Sequence, residues 1–297
     1  MAHTQEYTMM NNVTSNPSQR DSIRGLPSNH QRKTALVTGA SGGIGWQLAQ
    51  LLAQDQYGLI LIDIREKQLM EAKQQLLENW PGLQVETITA DLAEKGMAEH
   101  IQQTLLDEER QVDILINNAG FGTLGFFWDT SWERESQMIH LHVLTLTHLT
   151  KLLLPGMVKR GYGKILNVAS LAGFMPGPLS AVYNASKAYV LAFSEAIANE
   201  VRGKGVTVTV LCPGLTPTGF QAAVGVGDPE LTANRWISTS AKEVALTGYQ
   251  AMQRGRTIAI PGTINKLLVQ AHRFLPRNMA ARMVRWAQEK NRSFLKK

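Results

Sequence analysis

The chain has 297 residues, of which 44% are hydrophobic, so it can bury a large core, and no break in composition divides its body. Its net charge of +6 is concentrated at one end, because residues 264–297 contain nine lysines and arginines and one acid, whereas the rest has 21 basic and 23 acidic residues. The nearly neutral body argues against nucleic-acid binding, and the single cysteine, Cys212, excludes an internal disulfide framework and a cysteine-rich metal site.

The N-terminal residues 1–32 are rich in Asn, Ser, Gln, Thr and His and lack apolar periodicity, so the sequence predicts a disordered leader. This segment lacks the order of a secretory signal, and no run of apolar residues reaches membrane-spanning length. We expect a cytoplasmic protein with at most peripheral contact with a membrane.

The first predicted elements are a strand, a glycine turn and a helix. The apolar run 35–37 leads into a turn with the spacing Gly39-x3-Gly43-x-Gly45, and a helical pattern begins at Ile44. Glycines let the backbone approach a pyrophosphate, whose charge is met by free N–H groups at a helix N-terminus. The turn therefore predicts dinucleotide binding, with an ordinary strand-to-helix loop as the alternative.

A second strand is predicted at 58–63 and ends in Asp63, which lies 18 residues beyond Gly45. An acid there is placed to accept hydrogen bonds from an adenosine ribose, and it could also cap the helix that begins near Arg65. A helix (about 66–79), a strand (83–90), a helix (about 94–109) and a strand (112–116) follow. A long helix (about 131–160) and strands at 164–170 and 206–211 complete the pattern.

The motifs along these elements resemble those of the short-chain dehydrogenase/reductase family. In order they are Thr38-Gly39-x3-Gly43-x-Gly45, Asp91, Asn117-Asn118-Ala119-Gly120, Ser170, Tyr183-x3-Lys187 and Pro213-Gly214. The resemblance implies a catalytic domain at 33–262 with a doubly wound α/β fold, about seven parallel strands in the order 3-2-1-4-5-6-7 flanked by helices. Residues 263–297 form a separate basic tail.

The resemblance also implies the positions that bind a nicotinamide dinucleotide. They are Thr38, Gly39, Ser41, Gly43, Ile44, Gly45, Asp63, Arg65, Asp91, Leu92, Asn118, Ala119, Gly120, Tyr183, Lys187, Pro213, Gly214, Thr216 and Thr218. Asp63 and the absence of Arg or Lys at Gly42 favour NAD, because an acid repels a 2′-phosphate. Arg65 could swing towards that phosphate, so NADP remains open.

The predicted chemistry is the interconversion of an alcohol and a ketone by hydride transfer. A proton must leave or join the substrate oxygen, and a free tyrosine with a pKa of about 10 is a weak base. Lys187 lies one helical turn beyond Tyr183, so its charge would favour the phenolate. Ser170 would donate a hydrogen bond to the substrate oxygen.

One position departs from the family pattern, because His142 stands where the family carries an asparagine that binds a relay water. An imidazole could replace that asparagine in a proton relay, or His142 could be a buried histidine with satisfied hydrogen bonds. We expect no metal site from His140, His142 and His148, because positions two and six apart face different sides of a helix.

Apolar residues follow the strands at the edge where this fold binds ligands, which favours an apolar alcohol or ketone as substrate. They are Phe121, Leu124, Phe126, Phe127, Trp128, Leu171, Phe174, Met175, Phe220, Leu231 and Trp236. The same residues could equally serve packing.

Other functions remain open at this point. The chain could be a dinucleotide-binding sensor or scaffold without turnover, or a protein that binds a membrane or partner through its basic tail. The stripe Ile264, Leu267, Leu268 and Ala271 favours packing on the domain or on a second subunit of a homodimer or homotetramer. The surrounding Lys and Arg residues favour an interfacial membrane helix instead.

Overall fold

The computed structural model describes residues 32–217, 238–272 and 276–290. The predicted leader therefore lies outside the described residues except for Arg32. Thr218, Phe220, Leu231 and Trp236, which the sequence assigns to the cofactor and substrate sites, also lie outside them. The described residues from Arg32 onward belong to one compact unit.

Within these residues, seven parallel strands form one sheet in the order β3-β2-β1-β4-β5-β6-β7. The strands are β1 (Thr34–Thr38), β2 (Gly58–Asp63), β3 (Val85–Thr89), β4 (Ile114–Asn117), β5 (Gly163–Val168), β6 (Val206–Leu211) and β7 (Ile258–Ala259). The order confirms the doubly wound prediction. The direction of winding reverses between β1 and β4, and in such sheets the crevice at that reversal binds ligands.

Helices cover both faces of the sheet. They are α1 (Gly43–Gln54), α2 (Glu66–Asn79), α3 (Met97–Asp107), α4 (Trp132–Ile139), α5 (Leu146–Arg160), α6 (Ala181–Glu200), α7 (Ala241–Gln253), α8 (Thr263–His272) and α9 (Arg277–Lys290). A 3₁₀ turn at Leu171–Phe174 follows β5. Pro276 directly precedes α9.

The core consists of two apolar layers, one on each face of the sheet. Along β1, Ala35 and Val37 pack with residues of α1 and α7, whereas Leu36 between them packs with residues of α3 and α5. Successive strand residues point to opposite faces, so a strand covered on both sides must be apolar throughout. This requirement explains the continuous apolar runs in the sequence.

The long helix predicted near 131–160 is present as α4 and α5, joined by a π-helical segment at His140–Thr145. By length and composition alone, the helix Trp132–Arg160 could cross a membrane. In this fold it packs against α3 and α6 beside the sheet. The extra residue that a π segment inserts turns the side chains that follow it, and such segments are frequent at functional sites.

The apolar stripe of α8 faces outward, so it does not pack on its own domain, and packing on a second subunit stays a prediction. Ile264, Leu267 and Leu268 are 44%, 65% and 47% exposed, whereas Asn265 and Val269 are buried. The buried side of α8 is set by its neighbours: a Cβ on Gly214 would lie 2.7 Å from the Asn265 amide nitrogen. The polar side chain of Asn265 therefore lies on the inner side of α8, against Gly214.

Candidate active site

The turn between β1 and α1 forms a backbone cradle. Gly39 and Gly43 have φ angles of 64° and 54°, in the left-handed region that favours glycine. A Cβ on Gly45 would overlap the Gly39 carbonyl oxygen and lie 2.5 Å from the Asn118 amide nitrogen. The N-cap position is Gly42, which has no side chain to occupy the first N–H groups of α1. The cradle therefore fits a pyrophosphate, and Ile44 anchors the start of α1 by packing on the core.

Residues after β4 hold this cradle in shape. The Thr38 hydroxyl accepts hydrogen bonds from the backbone N–H groups of Asn118 and Ala119, at 2.9 and 3.0 Å. The Asn118 side-chain amide donates to the carbonyl oxygens of Thr38 and Gly39. Thr38 and Asn118 are thus hydrogen-bonded to each other, and Asn118 is also bonded to the glycine turn. The sequence motif alone did not reveal these contacts.

Asp63 lies at the carboxyl end of β2 and forms an ion pair with Arg65. Its carboxylate accepts hydrogen bonds from the Ser41 backbone N–H and from the backbone and Nε of Arg65, each at 3.1 Å. Burial raises the pKa of Asp63, but the hydrogen bonds from Arg65 and Ser41 outweigh burial and hold the pKa below its usual value. The Arg65 guanidinium also donates to the Ser41 hydroxyl at 2.8 Å.

Asp63 contacts the start of α2 without being its N-cap residue, and its binding of an adenosine ribose stays a prediction. The carboxylate does accept the backbone N–H of Arg65, the N-cap residue of α2, and it also faces the glycine turn. What the sequence did not predict is the position of the Arg65 side chain, which is half exposed and lies 3.4 Å from where a Cβ on Gly42 would be. A cation therefore covers the acid at the mouth of the cradle.

Asp91 and Leu92 follow β3 at the same edge of the sheet. The Asp91 carboxylate accepts a hydrogen bond from the Ala93 backbone N–H at 2.9 Å, which shapes the turn. The Leu92 carbonyl accepts one from the Thr145 hydroxyl at 2.7 Å. Since Thr145 ends the π-helical segment, this bond ties the long helix to the edge where β2 and β3 end.

Ser170, Tyr183 and Lys187 meet beside the cradle. Ser170 follows β5, while Tyr183 and Lys187 project from the first two turns of α6. The Lys187 ammonium lies 5.8 Å from the centroid of the Tyr183 ring and donates to the Val168 carbonyl at 2.9 Å. A Cβ on Gly120 would lie 3.6 Å from that ammonium, so the loop after β4 connects these side chains to the glycine turn.

Burial dominates the pKa values of this group. It raises the pKa of Tyr183, and a hydrogen bond with the Ser170 side chain only partly opposes the rise. It lowers the pKa of Lys187 to about 8. With the Lys187 ammonium 5.8 Å from the ring centroid, burial outweighs any lowering of the Tyr183 pKa by that charge, so the activation of Tyr183 by Lys187 stays a prediction.

His142 is buried in the π-helical segment with both ring nitrogens engaged. Its Nε2 accepts a hydrogen bond from the Phe121 backbone N–H at 3.2 Å, so the proton of the neutral ring resides on Nδ1. Nδ1 lies 2.9 Å from the Ser186 hydroxyl, which in turn donates to the Tyr183 carbonyl. Burial and then the charge of Lys187 hold the pKa of His142 well below its usual value.

Pro213 and Gly214 follow β6 and contact both flanking elements. The Pro213 carbonyl accepts from the Leu171 backbone N–H at 2.8 Å, and the buried Thr216 hydroxyl donates to the Gly214 carbonyl. Asn265 of α8 packs on Gly214, a contact that no sequence motif indicates. This corner thus joins the motif after β6 to the 3₁₀ turn and to α8.

The apolar residues proposed as substrate walls divide into two groups. Six of them are half-buried along the segments after β4 and β5: Phe121, Leu124, Phe126, Leu171, Phe174 and Met175. Phe127 and Trp128 are instead 65% and 76% exposed, so they face solvent and do not form a closed wall. They lie in a loop whose other aromatic residue, Phe126, stacks on Trp128 at 4.7 Å.

The sequence analysis missed Asn184, which shapes this region from α6. Its side-chain amide donates to the carbonyl oxygens of Ala172 and Met175, at 2.9 and 3.1 Å. A Cβ on Gly177 would overlap the same side chain. Asn184 is one of the three unspecified positions of the Tyr183-x3-Lys187 motif, so the motif does not indicate that it has a role.

The comparisons with known sequences agree with this arrangement. A sequence profile of short chain dehydrogenases matches residues 33–227. The chain is 31% identical over 261 residues to the ketoacyl reductase HetN of Nostoc sp., which covers 86% of this chain and 88% of that protein.

Solved structures resemble the chain over a similar extent. A short-chain dehydrogenase from Sphingobium yanoikuyae in complex with NADPH has a TM-score of 0.72 and 26% identity, covering 82% of this chain and 97% of that one. A short-chain dehydrogenase/reductase from Burkholderia phymatum in complex with NAD has a TM-score of 0.70 and 26% identity, covering 80% and 92%.

Proposed function

This chain belongs to the short-chain dehydrogenase/reductase family, and we propose that it interconverts an apolar secondary alcohol and its ketone. The proposal rests on one observation, the meeting of Ser170, Tyr183 and Lys187 beside the glycine cradle. A nicotinamide dinucleotide, when bound in the cradle, supplies or accepts the hydride. Side chains of the protein must then donate a proton to the substrate oxygen or accept one from it.

We propose Tyr183 as the general acid and base. In the reductive direction its hydroxyl donates a proton to the substrate oxygen, while the Ser170 hydroxyl donates a hydrogen bond to the same oxygen. A tyrosine with a pKa of about 10 is protonated at neutral pH, and burial of Tyr183 raises its pKa, so the phenol can donate a proton in this direction. The ammonium of Lys187 stabilises the phenolate that remains, and in the oxidative direction the same steps reverse.

The cofactor preference follows from Arg65 as much as from Asp63. The sequence favours NAD because an acid repels a 2′-phosphate, but the ion pair with Arg65 offsets that charge. The guanidinium and the Ser41 hydroxyl are both donors at the mouth of the cradle. We therefore propose that the protein accepts both NAD and NADP, with Asp91 beside the adenine end and Thr216 near the nicotinamide end.

Replacing Arg65 with alanine should weaken NADP binding by roughly tenfold and NAD binding much less, because only NADP presents a phosphate to the guanidinium. Asp63→Ala should instead weaken NAD and relax discrimination against NADP. Dissociation constants from nicotinamide fluorescence titrations measure both effects. Lys67→Ala, which removes an exposed charge from the same helix, serves as the control. An equal loss of both cofactors in Arg65→Ala would contradict the proposal.

We propose that His142 positions the site and does not relay protons. Its neutral ring connects the loop at Phe121 to α6 through Ser186, and neither nitrogen is available to a water without breaking one of these bonds. His142 therefore acts as a buried histidine with satisfied hydrogen bonds.

The variant His142→Asn should keep most of the kcat, because an amide can also donate and accept at this place. His142→Leu should lower stability by about 1–3 kcal/mol, since the Phe121 N–H and the Ser186 hydroxyl lose their partner. Steady-state kinetics and urea denaturation separate the two effects. A collapse of kcat in a stable His142→Asn protein would show that the histidine has a chemical role of its own.

The proposed substrate is apolar because half-buried Phe, Leu and Met side chains follow β4 and β5. The similar ketoacyl reductase is named for a carbonyl compound, which fits the same reaction type. A screen of apolar ketones and alcohols with NADH, NADPH, NAD and NADP, followed by nicotinamide absorbance, tests the activity. Cofactor binding without turnover on any compound would favour a sensor or scaffold instead.

We also propose a homodimer or homotetramer formed through α5 and α6. Leu144, in the π-helical segment that precedes α5, is 50% exposed, and Tyr189 of α6 is 39% exposed. The Tyr189 hydroxyl is hydrogen-bonded to Thr147 of α5. Exposed apolar side chains on adjacent helices favour association with a second copy. Light scattering of the purified protein measures the oligomeric state.

A further inference from the structure

Helix α8 presents an apolar face to solvent. Ile264, Leu267 and Leu268 are spaced three and four residues apart, so they share one side of the helix, and each is at least 44% exposed. The opposite side carries Asn265 and Val269, which are 2% and 4% exposed. The helix is therefore attached to the domain by its less apolar side.

Helix α9 has the same arrangement. Met279, Met283 and Trp286 fall within about 60° of one another at 100° per residue, and they are 51%, 55% and 64% exposed. Ala280 is 3% exposed and marks the attached side. Arg282 lies next to the exposed apolar face, at the position expected of a basic residue that flanks an interfacial helix.

The charge on these helices is almost entirely positive. Lys266, Arg282 and Arg285 are exposed, and residues 264–297 contain nine basic residues and one acid. That acid, Glu289, is hydrogen-bonded to Arg285 at 2.7 Å and so has its charge already paired. A partner for this surface must combine negative charge with an apolar layer.

The position of α8 relates this surface to the active site. Asn265 packs on Gly214, and α8 lies against the 3₁₀ turn Leu171–Phe174, which follows Ser170. The exposed aromatic residues Phe127 and Trp128 follow β4 at the same carboxyl edge of the sheet. Exposed apolar and aromatic side chains therefore lie near the carboxyl edge of the sheet, the edge at which this fold binds ligands.

We infer that the outward faces of α8 and α9 dock reversibly on an anionic lipid surface. Apolar side chains would enter the headgroup region, while Lys266 and Arg282 would contact the anionic headgroups. A second copy of the chain fits less well, because a twofold contact sets the same patch against itself and brings basic residues together without acids to pair them. The inference concerns binding and is independent of the proposed catalytic activity.

Co-sedimentation of the full chain with vesicles tests the inference. We expect binding to vesicles of phosphatidylcholine mixed with phosphatidylserine at low salt, and loss of binding at high salt or with phosphatidylcholine alone. Each of the changes Lys266→Gln and Arg282→Gln should weaken binding about fivefold. Leu267→Glu combined with Met283→Glu should remove it.

Leu106→Glu is the matched control, because Leu106 is 62% exposed on α3 and lies outside the proposed surface. Absence of binding to the anionic vesicles, or equal binding by the Leu267→Glu, Met283→Glu variant, would overturn the inference. A change from oligomer to monomer in that variant, seen by light scattering, would also overturn it and assign the faces to a subunit interface. Vesicle binding needs no turnover, so a failed activity screen leaves this result unaffected.

Discussion

Tyr183→Phe is expected to lower kcat by roughly 10²- to 10⁴-fold, the usual contribution of a positioned acid or base. The substitution removes only the hydroxyl that gives or takes the proton and keeps the ring beside His142. Cofactor affinity should stay nearly unchanged, because the glycine cradle and Lys187 are untouched. Steady-state kinetics on a ketone from the substrate screen, with cofactor titration by fluorescence, measures both quantities.

Tyr189→Phe provides the control on the same helix. Its hydroxyl is bonded to Thr147 on the exposed side of α6, away from Ser170 and Lys187. This variant should keep its kcat. If Tyr183→Phe also keeps most of its kcat, the proposed mechanism is wrong.

Gly45→Ala is expected to abolish cofactor binding and to destabilise the fold by about 1–3 kcal/mol or more, the typical cost of overpacking. The new Cβ would overlap the Gly39 carbonyl oxygen and press on the Asn118 amide. The Asn118 amide donates hydrogen bonds to the Thr38 and Gly39 carbonyl oxygens, and these bonds connect β1 to the loop after β4. Neither the Asn118 amide nor the Gly39 carbonyl can therefore move away without breaking them. Urea denaturation and cofactor titration measure the two losses.

Gly42→Ala is the control within the same turn. Gly42 has extended backbone angles, and its Cβ would reach only the Arg65 guanidinium, at 3.4 Å. This variant should unfold at nearly the wild-type urea concentration and still bind NAD. Equal behaviour of the two variants would show that the Gly45 contact does not matter.

The fold could be predicted because its signals are local. Runs such as Leu59–Ile62, apolar at every position, indicate strands covered on both faces, and the alternation with helical patterns fixes a parallel order. The motif residues follow from the same logic, because the carboxyl ends of parallel strands meet at one edge. Ser170 and Tyr183 are 13 residues apart in the sequence, and their meeting follows from the place of each in the strand and helix order.

The roles of Arg65 and His142 could not be predicted in the same way. A flexible Arg side chain can reach the acid two residues before it or extend into solvent, and only the packed turn places it on Asp63 and Ser41. The tautomer of His142 depends on the Phe121 N–H, which lies 21 residues away and across the site. Side-chain geometry of this kind is fixed by tertiary contacts.

The sequence by itself indicated the alternating strands and helices and the glycine turn through backbone periodicity and spacing. Its resemblance to a known family implied the doubly wound strand order and the set Ser170, Tyr183 and Lys187. Only the tertiary structure decided that Asp63 forms an ion pair with Arg65 and that both ring nitrogens of the neutral His142 are hydrogen-bonded. It also decided that the apolar stripe of α8 faces solvent. An amphipathic helix has a defined apolar side, but which side packs depends on the surface it meets. Here Asn265 packs against Gly214 on the inner side of α8, while Leu267 faces outward.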